Sequence, residues 1–401
     1  MNYKQYFPVF QNRKDMVYLD SAASSLKPKK VSDAITDYYN FYSGNIERGV
    51  YPISFEATAI VEKVREKIAL FINASKEEVI FTRGCTDSLN TVALSLKENL
   101  KKGDEIITTE LEHHSSFLPW LKASEEKGAV IKFIPLTEEG KITVDNFKKV
   151  LSDKTKIVAI SHVSNVMGYL TPVKEIIALS HIKGAIVSVD GAQAAPHMKI
   201  DVKDLDADFY SFSFHKMCGP TGLGVLYGKK ELLNSMEPVE LGGEMNDEVS
   251  KDNVTYKNIP YKFEAGTMPI AEIFGAGAAI DFLNEVGFGY IEKRDKELSG
   301  YAKKLLRSIP EIVIYNDYEE SPIIAFNIKG IHSHDAVSFY SENNVCLRAG
   351  LHCAEPLHKW LNITASLRAS FYFYNDESDV EKFIFVTKKA IAFFKEVGYL
   401  E

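Results

Sequence analysis

Short apolar runs alternate with amphipathic stretches over the first two-thirds of the chain. Val79 to Thr82, Asp104 to Thr109, Val130 to Ile134, Lys156 to Ser161, Ala185 to Asp190 and Phe209 to Phe212 each read as a strand. Gly222 to Tyr227 reads as one more, antiparallel to the rest. Between them, Ala57 to Phe71, Thr86 to Leu96 and Val173 to His181 carry apolar residues at helical spacing. This alternation predicts an α/β fold: a large domain with a mostly parallel seven-stranded sheet flanked by helices. In such sheets ligands gather at the carboxyl ends of strands. Asp190, Asn165 and the loop carrying Lys216 fall just past such ends.

The pattern changes near residue 285. A polar helix over Tyr290 to Ser308 leads into two apolar runs, Ile312 to Tyr315 and Ile323 to Ile328. A helix over His334 to Glu342, a loop with Cys353, the run Arg368 to Tyr372 and a final helix over Asp376 to Gly398 follow. The expectation is a large domain over 15–285 and a smaller C-terminal α+β domain over 286–401, with segment 1–14 packed against it. Neither an internal repeat nor a long linker interrupts this division.

Composition narrows the function. Of 401 residues, 45% are hydrophobic and 25% charged, ordinary for a globular protein. Net charge is −8 and no basic run stands out, which argues against nucleic acid as a partner. No apolar run approaches the roughly 20 residues that span a bilayer. The stretch Met1 to Tyr6 has no apolar signal core, so a cytoplasmic protein is expected. Cys85, Cys218, Cys346 and Cys353 lack Cys-x-x-Cys spacing, which disfavours both disulfides and a zinc site. No metal is expected.

The chemistry concentrates in Ser211-Phe212-Ser213-Phe214-His215-Lys216, followed by Gly219-Pro220-Thr221-Gly222. A loop lysine is usually a solvated charge. Here its neighbours are hydroxyls, an imidazole and aromatics, and a strand ending in Asp190 lies upstream. Pyridoxal phosphate needs both groups: an amine to bond its aldehyde and a carboxylate to keep its ring nitrogen protonated. Thr82-Arg83-Gly84-Cys85-Thr86-Asp87 offers a turn and a helix start, whose free N–H groups suit a phosphate, although Thr86 or Asp87 at such a place also serves as an ordinary cap. Ser213 and His215 add possible phosphate contacts. Glu112-His113-His114-Ser115 supplies a flat ring for a flat cofactor, or simply a loop histidine. Cys353 follows His352 near Arg348, a setting that favours thiolate; a half-buried structural thiol is the other reading. Arg368 lies in an apolar run and needs an anion, either a substrate carboxylate or a structural Asp or Glu.

These segments together resemble the class V aminotransferase-like enzymes of pyridoxal phosphate fold type I, most closely the group II, SufS-like cysteine desulfurases. The similarity runs from Tyr18-Leu19-Asp20-Ser21-Ala22-Ala23 through Arg83 to Thr86, Glu112 to Ser115, Ser161 to Asn165, Val189 to Gln193, the Lys216 loop and Phe263 to Thr267, to Arg348 to Pro356. The short Arg-x-Gly-x-His-Cys-Ala loop separates it from group I enzymes. The resemblance implies that Lys216 bonds the cofactor and shuttles protons, that Asp190 pairs with the ring nitrogen, and that Gln193 reaches the ring hydroxyl. It implies that His114 stacks on the ring and assists acid–base steps. It places Thr86, Cys85, Ser213 and His215 at the cofactor, with Thr267 reaching the phosphate of a neighbouring subunit in a homodimer. Asn165, Arg368, Arg348 and Ala23 would meet the substrate, and Cys353 would be the nucleophile. The implied reaction converts L-cysteine to L-alanine, leaves a persulfide on Cys353 and passes sulfur to a SufE-like or SufU-like acceptor for iron–sulfur cluster assembly.

Some positions depart from the family's usual pattern: Cys85 and Tyr51 stand where threonine and histidine are common, Leu351 replaces a frequent histidine, Met268 a common proline, and Cys218 follows close on the lysine. A selenocysteine lyase or another C–S lyase of the same family is the rival enzyme reading. A non-catalytic scaffold is opposed by the presence of Lys216, Asp190, His114, Arg368 and Cys353.

Overall fold

The computed structural model describes residues 2–318 and 321–398. Residues 1, 319–320 and 399–401, which the sequence reading assigns to the N-terminal segment and the smaller domain, lie outside the described residues. Seven strands form the central sheet: β1 (Val79–Thr82), β2 (Glu105–Thr108), β3 (Val130–Phe133), β4 (Thr155–Ser161), β5 (Ile186–Asp190), β6 (Phe209–Ser213) and β7 (Gly224–Gly228). Their spatial order is β1-β7-β6-β5-β4-β2-β3. Only β7 runs antiparallel to its neighbours, as its separate position in the sequence pattern predicts. β6 and β7 are buried on both faces, hence their unbroken apolar character. The edge strand β3 is half exposed, and its Lys132 pairs with Glu105 of β2 at 2.7 Å.

Helix α1 (Cys85–Leu96) follows β1, and α2 (His114–Lys127) follows β2. Helix α3 (Ile270–Val286) is apolar nearly all round and packs against Lys29–Asp37 and Pro52–Phe71. A Cβ at Gly277 would stand 2.6 Å from Val64 Cγ2, so only glycine allows that approach.

A second, antiparallel sheet holds β8 (Ile312–Ile314), β9 (Ile323–Ile328), β10 (Arg348–Gly350) and β11 (Ser366–Ser370), in the order β8-β9-β11-β10. It builds its own core with α4 (Phe288–Leu306) and α5 (Glu377–Glu396), around Leu298, Leu306, Phe326, Leu367 and Phe383. A capping box of Asp376 and Asp379 starts α5. Val17 and Leu19 also join this core, although the sequence reading placed them in the larger unit. Val17–Tyr18 pairs with Val345–Cys346, and Ser370 N donates to Leu19 O at 2.7 Å. The stretch from Asp20 to Ala23 is thereby stitched to the smaller sheet and hangs over the carboxyl ends of β4 to β6.

Candidate active site

Ser161, Asp190 and Ser211 are partners across β4, β5 and β6, so three strand ends open at one level. The cavity there is lined by Asp190, Lys216, Gln193, Asn165, Arg368 and Cys353, together with Ala22, Ala23 and Arg348. Lys216 ends a tight turn, Phe214–Lys216, directly after β6. Burial pushes its amine below the usual lysine range, with Asp190 opposing and Arg368 adding to the shift. Asp190 Oδ1 accepts from Ala192 N at 2.9 Å and from the Cys85 thiol at 3.4 Å. Burial and the neighbouring Asp190 carboxylate hold that thiol well above its ordinary range, so Cys85 is a protonated donor.

The far end of the cavity is a cup of hydroxyls at the start of α1. Gly84 has φ 150°, a backbone angle that favours glycine, and a Cβ on Gly224 would stand 2.5 Å from Gly84 Cα, so the close approach requires glycine at 224. Cys85 N donates to Ser213 Oγ at 2.6 Å, and Thr86 Oγ1 and Ser115 Oγ are 2.7 Å apart. His215 lies beside them; burial, then Lys216 and Lys27, bring its pKa down to about 4, so the ring is neutral.

The two adjacent histidines divide differently from the expectation. His113, not His114, faces the cavity. Its Nδ1 accepts from Ser115 N at 3.1 Å as the N-cap of α2, which orients the ring, and burial lowers its pKa to about 4. His114 is the first residue of the helix and points the other way. Its N–H donates to Cys353 O at 2.7 Å, and its Nε2 accepts from Glu355 N at 3.2 Å. His114 therefore pins the Cys353 loop rather than the ring of a ligand. Beneath His113, buried Glu112 accepts from Thr109 Oγ1, Ser161 N and Ser161 Oγ, and burial raises its pKa to about 7.

Cys353 reaches the cavity from the smaller sheet and is exposed. His352 and Cys353 both have left-handed backbone, φ 49° and 55°, which turns the thiol inward after β10. The loop is held by the His114 bonds and by Asn165 Nδ2 donating to His352 O at 2.7 Å. His352 itself is buried against Ser366, its pKa lowered to about 2 chiefly by burial.

Arg368 is buried on β11. Its NH1 donates to Asn165 O at 2.9 Å, and its Nε has no partner. Arg348 points to the same cavity, but Asp20 chelates it: Nε to the carboxylate at 3.1 and 3.2 Å, NH2 at 2.9 Å. Of the two anions that would satisfy Arg368, the structural acid is present in part: Asp20 Oδ1 stands 3.5 Å from Arg368 NH2, while Nε keeps an unfilled donor. Thr267 is not in this cavity; it lies with Arg83 and Glu264 along a separate surface groove. Cys218 lies buried outside it, its thiol pushed up to about 12 by burial.

The residues present fit pyridoxal phosphate. Gln193 Oε1, Asn165 Oδ1 and Arg368 Nε are buried polar atoms without partners in the protein, all on the cavity wall. Among the described residues no His, Cys, Asp and Glu cluster has the geometry to hold a metal ion, and no helix is long and apolar enough to cross a membrane.

Residues 17–383 match the class-V aminotransferase family. A probable cysteine desulfurase of Halalkalibacterium halodurans is 50% identical over 383 residues, 94% of either chain. One from Staphylococcus epidermidis is 47% identical over 395 residues, 97% of this chain and 96% of its own. Among solved structures, the apo cysteine desulfurase of Thermococcus onnurineus superposes with a TM-score of 0.93 at 37% identity, covering 97% of both chains. The cysteine desulfurase CsdA of Escherichia coli, with an S-sulfonic acid, gives 0.92 at 38% identity over 98% of both. With that coverage at both levels, the chain belongs to the class-V aminotransferase family and, within it, to the cysteine desulfurases.

Proposed function

We propose that this protein converts L-cysteine to L-alanine with pyridoxal 5'-phosphate, taking the sulfur onto Cys353. The observation that carries this reading is that the Cys353 thiol opens onto the same cavity as Lys216 and Asp190. The cofactor, when bound, supplies a sink for the electron pair left at the substrate Cα. Lys216 Nζ would hold its aldehyde, Asp190 would pair with its ring nitrogen, Gln193 would meet its ring hydroxyl, and His113 would cover the ring. Thr86, Ser213, His215 and the start of α1 would hold its phosphate.

Arg368 and Asn165 orient the substrate carboxylate. The lowered pKa of Lys216 lets its amine exist neutral, so Nζ accepts the Cα proton and later returns it. Cys353 Sγ, as thiolate, attacks the substrate sulfur. The C–S bond breaks, a proton is delivered to the former Cβ, and alanine leaves a persulfide on Cys353. Its exposed position then presents the terminal sulfur to an acceptor protein, SufE-like or SufU-like, in cytoplasmic iron–sulfur cluster assembly.

A homodimer belongs to the same reading. Phe41 is 68% exposed and Val50 88%, within a run that also exposes Tyr39, Tyr51 and Phe55. So much apolar surface in one stretch calls for a covering chain, and a second copy there would let Thr267 serve the neighbour's phosphate. Measuring alanine released from L-cysteine by the parent and by Cys353→Ser tests the core of the proposal. Loss of turnover with the cofactor still bound supports it; retained turnover refutes Cys353 as the sulfur acceptor.

A further inference from the structure

The turn that carries Lys216 is clamped by the N-terminal stretch. His215 O, one residue before Lys216, accepts from Ser24 Oγ at 3.1 Å, Ser25 N at 2.9 Å, Ser25 Oγ at 3.1 Å and Lys27 Nζ at 2.9 Å. Two residues after Lys216, Cys218 has left-handed backbone, φ 61°, a conformation that is costly for a residue with a side chain. Its N–H donates to Ser25 Oγ at 2.7 Å. Ser25 thus grips the turn on either side of the lysine. Lys27 grips Ser24 and Ser25 as well: Nζ donates to Ser24 Oγ at 3.0 Å and to Ser25 O. The same stretch is fixed to β11 and the residues after it, where Ala22 N donates to Ser370 Oγ at 2.9 Å and Leu26 N to Tyr374 OH at 3.3 Å. Lys27 is half-buried, and its three acceptors are all uncharged oxygens. Among the described residues no carboxylate pairs with it, and an ammonium withdrawn from water without a counter-ion is costly.

We infer that Lys27 is a positioning residue for Lys216: its ammonium fixes the His215 carbonyl and Ser25, and so aims the amine that bonds the cofactor and moves the Cα proton. A neutral side chain could fill the same space without holding three oxygens. The inference rests on the proposed role of Lys216 and is independent of Cys353. Burial brings the Lys27 amine down to about 8, so its charge fades as pH rises through that value. The groups around it keep their charge there. His215, with a pKa of about 4, is neutral; the Cys218 thiol, at about 12, stays protonated; and burial raises the phenols of Tyr18, Tyr372 and Tyr374.

The test uses the holoenzyme and L-alanine, whose Cα–H exchange in deuterium oxide reports proton transfer by Lys216 without sulfur chemistry. In Lys27→Met, exchange should slow about tenfold, while affinity for L-alanine, read from the cofactor's absorption band, stays within about twofold because the carboxylate partners lie elsewhere. Lys27→Arg keeps a charged donor and should recover most of the rate. Between about pH 7 and about pH 9.5 the parent should lose exchange about tenfold relative to Lys27→Arg, whose charge persists. Apart from turnover, loss of the cofactor into buffer should be several-fold faster in Lys27→Met and not in Lys27→Arg. Exchange in Lys27→Met within about twofold of the parent, or a ratio of parent to Lys27→Arg that is the same at both pH values, overturns the inference. Should Lys27→Met fail to fold or load, that ratio decides. A parent without any exchange would instead sink the proton-transfer role of Lys216, and the rates of cofactor loss then decide on Lys27.

Discussion

Arg368→Ala removes a buried guanidinium that still has a donor to give. Within the protein it bonds Asn165 O and approaches Asp20, and Asp20 retains Arg348 in the variant. The fold therefore loses one charge-assisted hydrogen bond, about 1.5–3 kcal/mol. The substrate loses more. A carboxylate held by two charge-assisted bonds gains about 1.5–3 kcal/mol from each, so about 3–6 kcal/mol of binding disappears. At 1.36 kcal/mol per tenfold, kcat/KM for L-cysteine should fall by a factor on the order of a hundred to ten thousand. Arg368→Lys keeps the charge without the planar fork and should fall between the two. The assay is alanine formation against cysteine concentration, with the cofactor absorption band recorded to confirm loading. A fall of less than about tenfold in folded, loaded Arg368→Ala would refute the placement of the carboxylate.

Three further outcomes follow from the same geometry. His113→Ala should weaken retention of the cofactor and alter its absorption band, whereas His114→Ala should leave the band and lower turnover through a loosened Cys353 loop; identical effects would contradict the division of the two rings. Glu112→Gln should change the pH dependence of stability. In the native chain Glu112 keeps its proton up to about 7, while in the unfolded chain it releases it at the ordinary value near 4.5, so its contribution to stability declines as pH rises between those values. The difference corresponds to at most about 3 kcal/mol, and glutamine, which mimics the protonated acid, should raise the urea midpoint relative to the parent at pH 8 but not at pH 5; an equal effect at both values refutes this. His113, His162, His215 and His352 are held neutral by burial, so the parent should also lose stability as pH falls below about 6.5, measurable as a drop in Tm.

The sheet was legible because its strands other than the half-exposed edge β3 are buried on both faces and interrupt the helical period cleanly. Ile323–Ile328 is bounded by the same residues in sequence and structure. Arg348–Gly350 was read as loop, because three residues with an arginine and a glycine carry no alternation, and tertiary pairing with Ser366–Ser370 makes them a strand. Lys216, Asp190 and Cys353 stood out through neighbours of unusual type. The choice between His113 and His114 was not legible, since it turns on which residue becomes the N-cap of α2, a boundary one residue wide. Asp20 was visible only as part of a motif. Its pairing with arginines 328 and 348 positions away depends on the N-terminal stretch crossing to the smaller sheet, which no local pattern encodes.

The most direct test is mass analysis of the peptide bearing Cys353 after holoenzyme meets one equivalent of L-cysteine without any acceptor. The account predicts a gain of one sulfur atom on that peptide, matched by alanine in equal amount. Alanine formed while Cys353 remains unmodified, or the added sulfur on Cys85, Cys218 or Cys346 instead, would contradict it.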